Sequence, residues 1–256
     1  MEDQVQAPKM VKFMTENDSS SWKSLYKMGG FAALLSLVFL PIQISVYLIN
    51  PPPDTVLGWF DLFNERPLIG LLDLDLLLVV DQVLVMLIFL ALFIVLRQTS
   101  KSLILIGLMF GLVTTVLLIG SNPAIAMLTL SNQYFSTVNE TVRTMTLAAG
   151  QAVITNWTGS AFHTSYILGS IAAIVISVAM LHNRSFSKAA AYLGIVSNGI
   201  AFGLYIPVIG VYVSIFSVVI LWFWYLLIAL DLIKLGKKPS TSVKSHDLVG
   251  NIGISA

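Results

Sequence analysis

Three aspartates, Asp73, Asp75 and Asp81, stand at the start of an otherwise apolar run that ends at Arg97. A carboxylate inside lipid is costly. Where one is retained it faces neighbouring helices or a water-filled space, and it marks a candidate site for a proton, a small cation or a polar solute. Asp81 lies 16 residues before Arg97, and His163 lies 19 residues before His182, so the two fall at similar depth towards the same membrane face. Arg143, on the segment between, can reach that level. Together with Gln151 and Asn156 these residues are expected to line an outward-opening polar pocket. The competing expectation is structural: Asp81 and Arg143 neutralise each other, and His163 bonds a backbone carbonyl at the interface.

Other chemistries find little support. The chain has no cysteine, which removes disulfides, thiol catalysis and thiolate metal sites together. Its three histidines, His163, His182 and His246, are expected at three different levels, so neither zinc nor any other metal site is expected. There is no HExxH, GxSxG, phosphate-loop or dinucleotide fingerprint. No catalytic residue and no cofactor is therefore expected. A net charge of +1 gives no reason to expect a nucleic-acid partner.

The elements that must position the candidate residues follow from hydropathy. Hydrophobic residues make up 57% of the 256, charged residues only 11%, and mean hydropathy is +0.87. An ordinary soluble domain is about 25% charged, so the lipid bilayer is the expected partner. About 20 apolar residues cross a bilayer. The pattern predicts an all-α transmembrane bundle of about six spans, at 26–49, 75–97, 103–120, 159–181, 189–206 and 208–232, within a domain covering 25–235. The tails 1–24 and 236–256 are polar and read as disordered and cytoplasmic. Pro41 falls inside the first span and predicts a kink, and Pro51, Pro52 and Pro53 end it. Residues 54–66 suit either a short interfacial helix or an ordinary loop with aromatic anchors, and residues 123–157 read as one or two helices that either lie on the membrane or dip into it.

Within the spans, Gly107 with Gly111 and Gly199 with Gly203 have the four-residue spacing that lets helices approach closely, and Asn198 is expected to bond across to a neighbouring helix. Lys9, Lys12, Lys23, Lys27, Arg97, Lys101, Arg184, Lys188, Lys234, Lys237, Lys238 and Lys244 fall on one side of this layout. Arg66 and Arg143 fall on the other. Positive residues concentrate on the cytoplasmic side, so both termini are expected inside the cell and the two long segments outside.

Taken with this layout, the phrases AAGQAVITNWTGSAFHTSYILGSIAAIVISVAML and SFSKAAAYLGIVSNGIAFGLYIP, joined by a short basic turn and followed by a closing aromatic span, resemble a family of prokaryotic integral membrane proteins known as a domain of unknown function. The resemblance covers about residues 26–234. It implies a six-helix or similar bundle in a bacterial or archaeal membrane and carries over no functional residue. Three functions fit these observations: a non-enzymatic accessory, sensor or structural bundle, working with another membrane protein or as a homo-oligomer; a small transporter with a polar pocket around Asp81; and, with least support, an intramembrane enzyme.

Overall fold

The computed structural model describes residues 6 to 237, with side chains from residue 22 onward. Every regular element among the described residues is helical. In lipid the backbone must satisfy its own polar groups, and a helix does so within one segment. Helix α1 runs Gln6–Ile49, and α2 (Val56–Glu65) and α3 (Pro67–Asp73) are short. Next come α4 (Leu76–Leu96), α5 (Lys101–Ser121), α6 (Ala124–Ser136), α7 (Glu140–Trp157) and α8 (Ser160–Leu181). The chain closes with α9 (Lys188–Ala201), a 3-10 turn at Phe202–Tyr205, and α10 (Gly210–Lys237).

Five stretches are long and apolar enough to cross a membrane, including Trp22–Ile49, Leu76–Leu96 and Gly210–Lys237. The expected span at 189–206 is not among them, because α9 has only 14 residues. With the 3-10 turn that follows it, α9 still bridges the bundle from end to end. At one end the Ser187 N–H donates to Asp231 at 3.0 Å, and at the other Tyr205 meets His163 at 3.3 Å. Roughly 29 Å of rise along this element matches the bilayer core.

The six crossing elements form a ring in which each runs antiparallel to the next. Gly30 of α1 faces Ala229 and Ile233 of α10, and farther along Trp222 donates to the Leu37 carbonyl at 2.9 Å. On its other side α1 meets α4, with Gly29 against Ala91 and Ser36 against Asp81. Gly111 of α5 accommodates Phe89 of α4, and Gly107 accommodates Ile176 of α8; a Cβ at either glycine would lie within 2.7 Å of those side chains. Gly194 of α9 meets Ser177 of α8 and Trp224 of α10, which closes the ring. The core at its centre includes Ile88, Leu92, Ile176, Met180, Trp224 and Ile228, all fully buried.

A second core lies beyond one end of the ring. Helices α2, α3, α6 and α7 pack into a cap around Trp59, Phe60, Phe63, Leu74 and Met127. Thr55 caps α2 by accepting the Gly58 N–H. Asn139 caps α7 by accepting from Thr141 and Val142. Ser131 of α6 donates to the Phe60 carbonyl at 2.8 Å and ties two cap helices together. The segments expected to lie separately on the membrane thus bury their apolar faces against each other. At the opposite end of the ring, Lys27 packs on Gly236, and Arg97 stacks over Trp22.

Several expectations require correction. Residues 6–24 belong to helix α1 and are not an irregular tail, because the first span continues backwards without a breaking residue. Helix α10 extends to Lys237, five residues past the expected end, while residues 1–5 and 238–256 lie outside the described residues. Gly199 faces open space and packs against nothing, whereas Gly203 contacts Val213. Asn198 donates to Gly194 and Ser197 in its own helix and reaches no neighbour, since the carbonyl four residues back is the nearest acceptor.

Candidate functional site

The residues expected to share one pocket occupy four separate places. Asp81, on α4, is 3% exposed and accepts a 2.5 Å hydrogen bond from the Ser36 hydroxyl of α1. Arg143 sits in the cap, where its Nε donates to the Thr137 carbonyl at 3.1 Å. It also pairs with Glu140 at 3.4 Å and stacks over Tyr134. His163 meets the Tyr205 hydroxyl and contacts Phe162, at the ends of α8 and α9. Gln151 and Asn156 line an open cleft of about 690 Å³ where α7 meets α8. Neither the convergent pocket nor the Asp81–Arg143 pair therefore forms. Arg143 finds carbonyl, carboxylate and aromatic partners within its own cap, so it is not drawn towards the ring.

What the fold does bring together is a polar seam between α1 and α4. Ser36, Gln43 and Tyr47 recur on α1 at spacings of seven and four, which places them on one helix face. Each meets a different point of the α3–α4 chain. Ser36 donates to Asp81. The Gln43 carboxamide donates to the Leu72 carbonyl at 3.0 Å. The Tyr47 hydroxyl donates to Asp75 in a short hydrogen bond. Hydrophobicity alone did not reveal these three residues; their helical spacing within an apolar span was the available signal.

The turn between α3 and α4 sets the upper end of the seam. Asp75 takes the left-handed conformation, with φ of 62°, one that aspartate tolerates better than most side chains. It stands at the N-cap position of α4 yet makes no side-chain capping bond. Its carboxylate instead faces Tyr47 and the Trp157 indole. Asn122 buttresses the same turn by donating to the Leu74 carbonyl at 2.7 Å. Asp73 is fully buried, and neither of its carboxylate oxygens has a hydrogen-bond partner. The Gln43 carbonyl oxygen is likewise buried and unpartnered.

Burial dominates the electrostatics of this turn. It pushes the Asp75 carboxyl up to about 6 against the opposing hydrogen bonds from Tyr47 and Trp157, and the charge of Asp73 adds to the rise. Asp73 is raised to about 6 for the same reason, with the Arg66 guanidinium opposing. Arg66 does not pair with it, because its Nη1 donates to Asn50 at 3.0 Å. The ion pairs of Arg143 with Glu140 and of Lys234 with Asp231 involve none of Asp73, Asp75 and Asp81.

A ring of antiparallel apolar helices with buried carboxylates on one seam defines a multi-pass, all-α membrane protein. Comparisons with family models, curated proteins and solved structures found no match.

Proposed function

We propose that this is a transport protein of the cell membrane that works without covalent chemistry and in which Asp81 takes up and releases a proton. The observation that carries this reading is the setting of Asp81: about 8 Å inside its span, buried, without a cationic partner, and held by one hydroxyl. A purely structural polar contact between two helices needs no ionisable group, and an intramembrane carboxylate is costly enough to call for a use. Asp231, a carboxylate near the end of the spanning helix α10, contrasts with it; it lies beside Lys234 and accepts a backbone N–H.

Gln43, Tyr47 and Asp75 continue from Ser36 towards the cap and supply polar groups along the way to Asp81. The Tyr225 phenol of α10, within electrostatic reach of Asp81, continues the polar groups towards the ring interior. The concentration of lysine and arginine at the end opposite the cap supports a cytoplasmic position for that end and for both termini, with the cap outside.

The test is proton flux into liposomes containing the full-length protein, read by an entrapped pH dye under an imposed potential. Asp81→Asn, which keeps the volume and the contact with Ser36, is expected to abolish the flux. Flux equal to the unsubstituted protein would remove Asp81 from the mechanism. A second reading, an accessory protein that docks through its cap, is favoured by the exposed apolar residues Leu68, Val138 and Met145, at 66%, 92% and 67% exposure. It predicts stable co-purification with another membrane protein, and a lone monodisperse species in mild detergent counts against it.

A further inference from the structure

The α3–α4 turn carries two buried carboxylates, of which the proton reading uses only Asp75, as one of the polar groups on the way to Asp81. Asp73 is 0% exposed and Asp75 9% exposed, with only Leu74 between them. Asp73 presents two oxygens that accept no hydrogen bond. The Gln43 side chain, 3% exposed, reaches across from α1 and is anchored by its Nε2 on the Leu72 carbonyl, one residue from Asp73. Its carbonyl oxygen is left buried and unpartnered. Tyr47 and Trp157 donate to Asp75, whose carboxylate lies within electrostatic reach of Asp73.

Buried polar atoms in folded proteins are nearly always satisfied, so three unpartnered oxygens from two residues at one turn call for an explanation. All are oxygen acceptors and none is a donor, which excludes an anion and fits a hard cation. Two carboxylates carry a charge of −2, and a divalent ion cancels it in a place where burial makes uncompensated charge costly. Calcium suits such a set better than magnesium: it accepts irregular geometry and mixed carboxylate, carbonyl and water ligands, whereas magnesium demands a near-ideal octahedron.

We propose that Asp73, Asp75 and the Gln43 carbonyl form a calcium-type divalent cation site that fastens α1 to the α3–α4 turn beneath the cap. Bound there, the ion ties the first spanning helix to the segment that carries the cap, so its occupancy stabilises the junction between cap and ring. The site is independent of Asp81, which lies one and a half turns farther along α4.

The experiment uses the intact protein in detergent, stripped with a chelator and held at constant ionic strength with choline chloride at pH 8. Saturating calcium is expected to raise the melting temperature by about 5–10 °C. Asp81→Asn is expected to keep this shift, and Asp73→Asn and Asp75→Asn to lose it. Should either carboxylate variant fail to fold, Gln43→Leu provides the test, with affinity weakened roughly tenfold. Terbium luminescence sensitised by Trp157 gives a readout that needs no carboxylate variant: it is expected to appear on binding, to be displaced by calcium and to be lost in Trp157→Phe.

No calcium shift in the unsubstituted protein overturns the proposal, as does a shift retained by Asp73→Asn or a calcium affinity unchanged in Gln43→Leu. An equal shift with sodium overturns the divalent assignment. Failure of the site leaves the proton-flux test of Asp81 untouched, and loss of flux in Asp81→Asn leaves the calcium test untouched.

Discussion

The Ser36–Asp81 hydrogen bond permits a test in which stability and function are expected to move in opposite directions. Ser36 is fully buried and Asp81 nearly so, and the 2.5 Å bond is the one partner that crosses to the carboxylate from α1. Ser36→Ala removes the donor and leaves a buried carboxylate unsatisfied, a loss of about 2–3 kcal/mol for a hydrogen bond to a group of this kind. In an Asp81→Leu background the acceptor is already gone, so the same serine substitution is expected to cost less than about 0.5 kcal/mol. The resulting coupling of about 2 kcal/mol corresponds to roughly 4–8 °C in melting temperature for a chain of this size. Because replacing both partners by apolar groups is close to neutral, the Ser36→Ala/Asp81→Leu double variant is expected to melt near the unsubstituted protein while transporting no protons. The assay is thermal unfolding in lipid nanodiscs, followed by circular dichroism, for all four members of the cycle. Single-variant costs that add to within about 0.5 kcal/mol would refute the reasoning, since independent sites behave that way.

Further outcomes follow from the same geometry. With cations chelated, Asp75 has its carboxyl raised from about 3.9 unfolded to about 6 folded, so its contribution is fully present below the lower value and is lost as pH rises through the upper one. Between pH 4 and pH 7 this contribution is expected to fall by about 2 kcal/mol; Asp73, raised in the same way, adds a loss of the same sign, so Asp75→Asn is expected to reduce the difference in unfolding between the two pH values by about 2 kcal/mol. Gly111→Ala places a methyl within 2.5 Å of the Phe89 ring and is expected to destabilise by about 1–3 kcal/mol. Gly199→Ala meets nothing within 4 Å and is expected to be neutral or to stabilise by up to about 1 kcal/mol, and melts of the pair distinguish the two. Phe60→Ala empties the centre of the cap core at a cost of about 3–5 kcal/mol. Limited proteolysis is then expected to cut residues 124–157 first while α10 stays protected.

The sequence by itself determined the class of protein and the position of the principal crossings. Runs such as 76–96 and 101–121 carry so few charges that only a helix in lipid accommodates them, and Asn122–Pro123 and Pro51–Pro53 mark where they stop. The same information singled out Asp81 as a buried ionisable group, because hydrophobicity is a property of consecutive residues and needs no knowledge of neighbours. It also placed a crossing at 189–206, where the 14 residues of α9 reach the far side only with the 3-10 turn that follows.

Tertiary structure decided which residues meet. Similar depth suggested that Asp81, Arg143 and His163 converge, but depth fixes only one coordinate: the ring places Asp81 and His163 in different contacts, and Arg143 lies in the cap. The cap drew Arg143 over Tyr134, a contact that depends on how α6 and α7 fold onto each other, while Glu140 meets it from one turn away on α7 itself. The pairing of α1 with α4 is likewise a matter of packing between glycine and alanine faces, and it alone brought Ser36, Gln43 and Tyr47 against three points of another segment. Hydropathy is set along the chain, whereas a site is set by contacts between segments far apart in it. The spans could therefore be read from composition, but the carboxylate seam emerged only once the helices were packed.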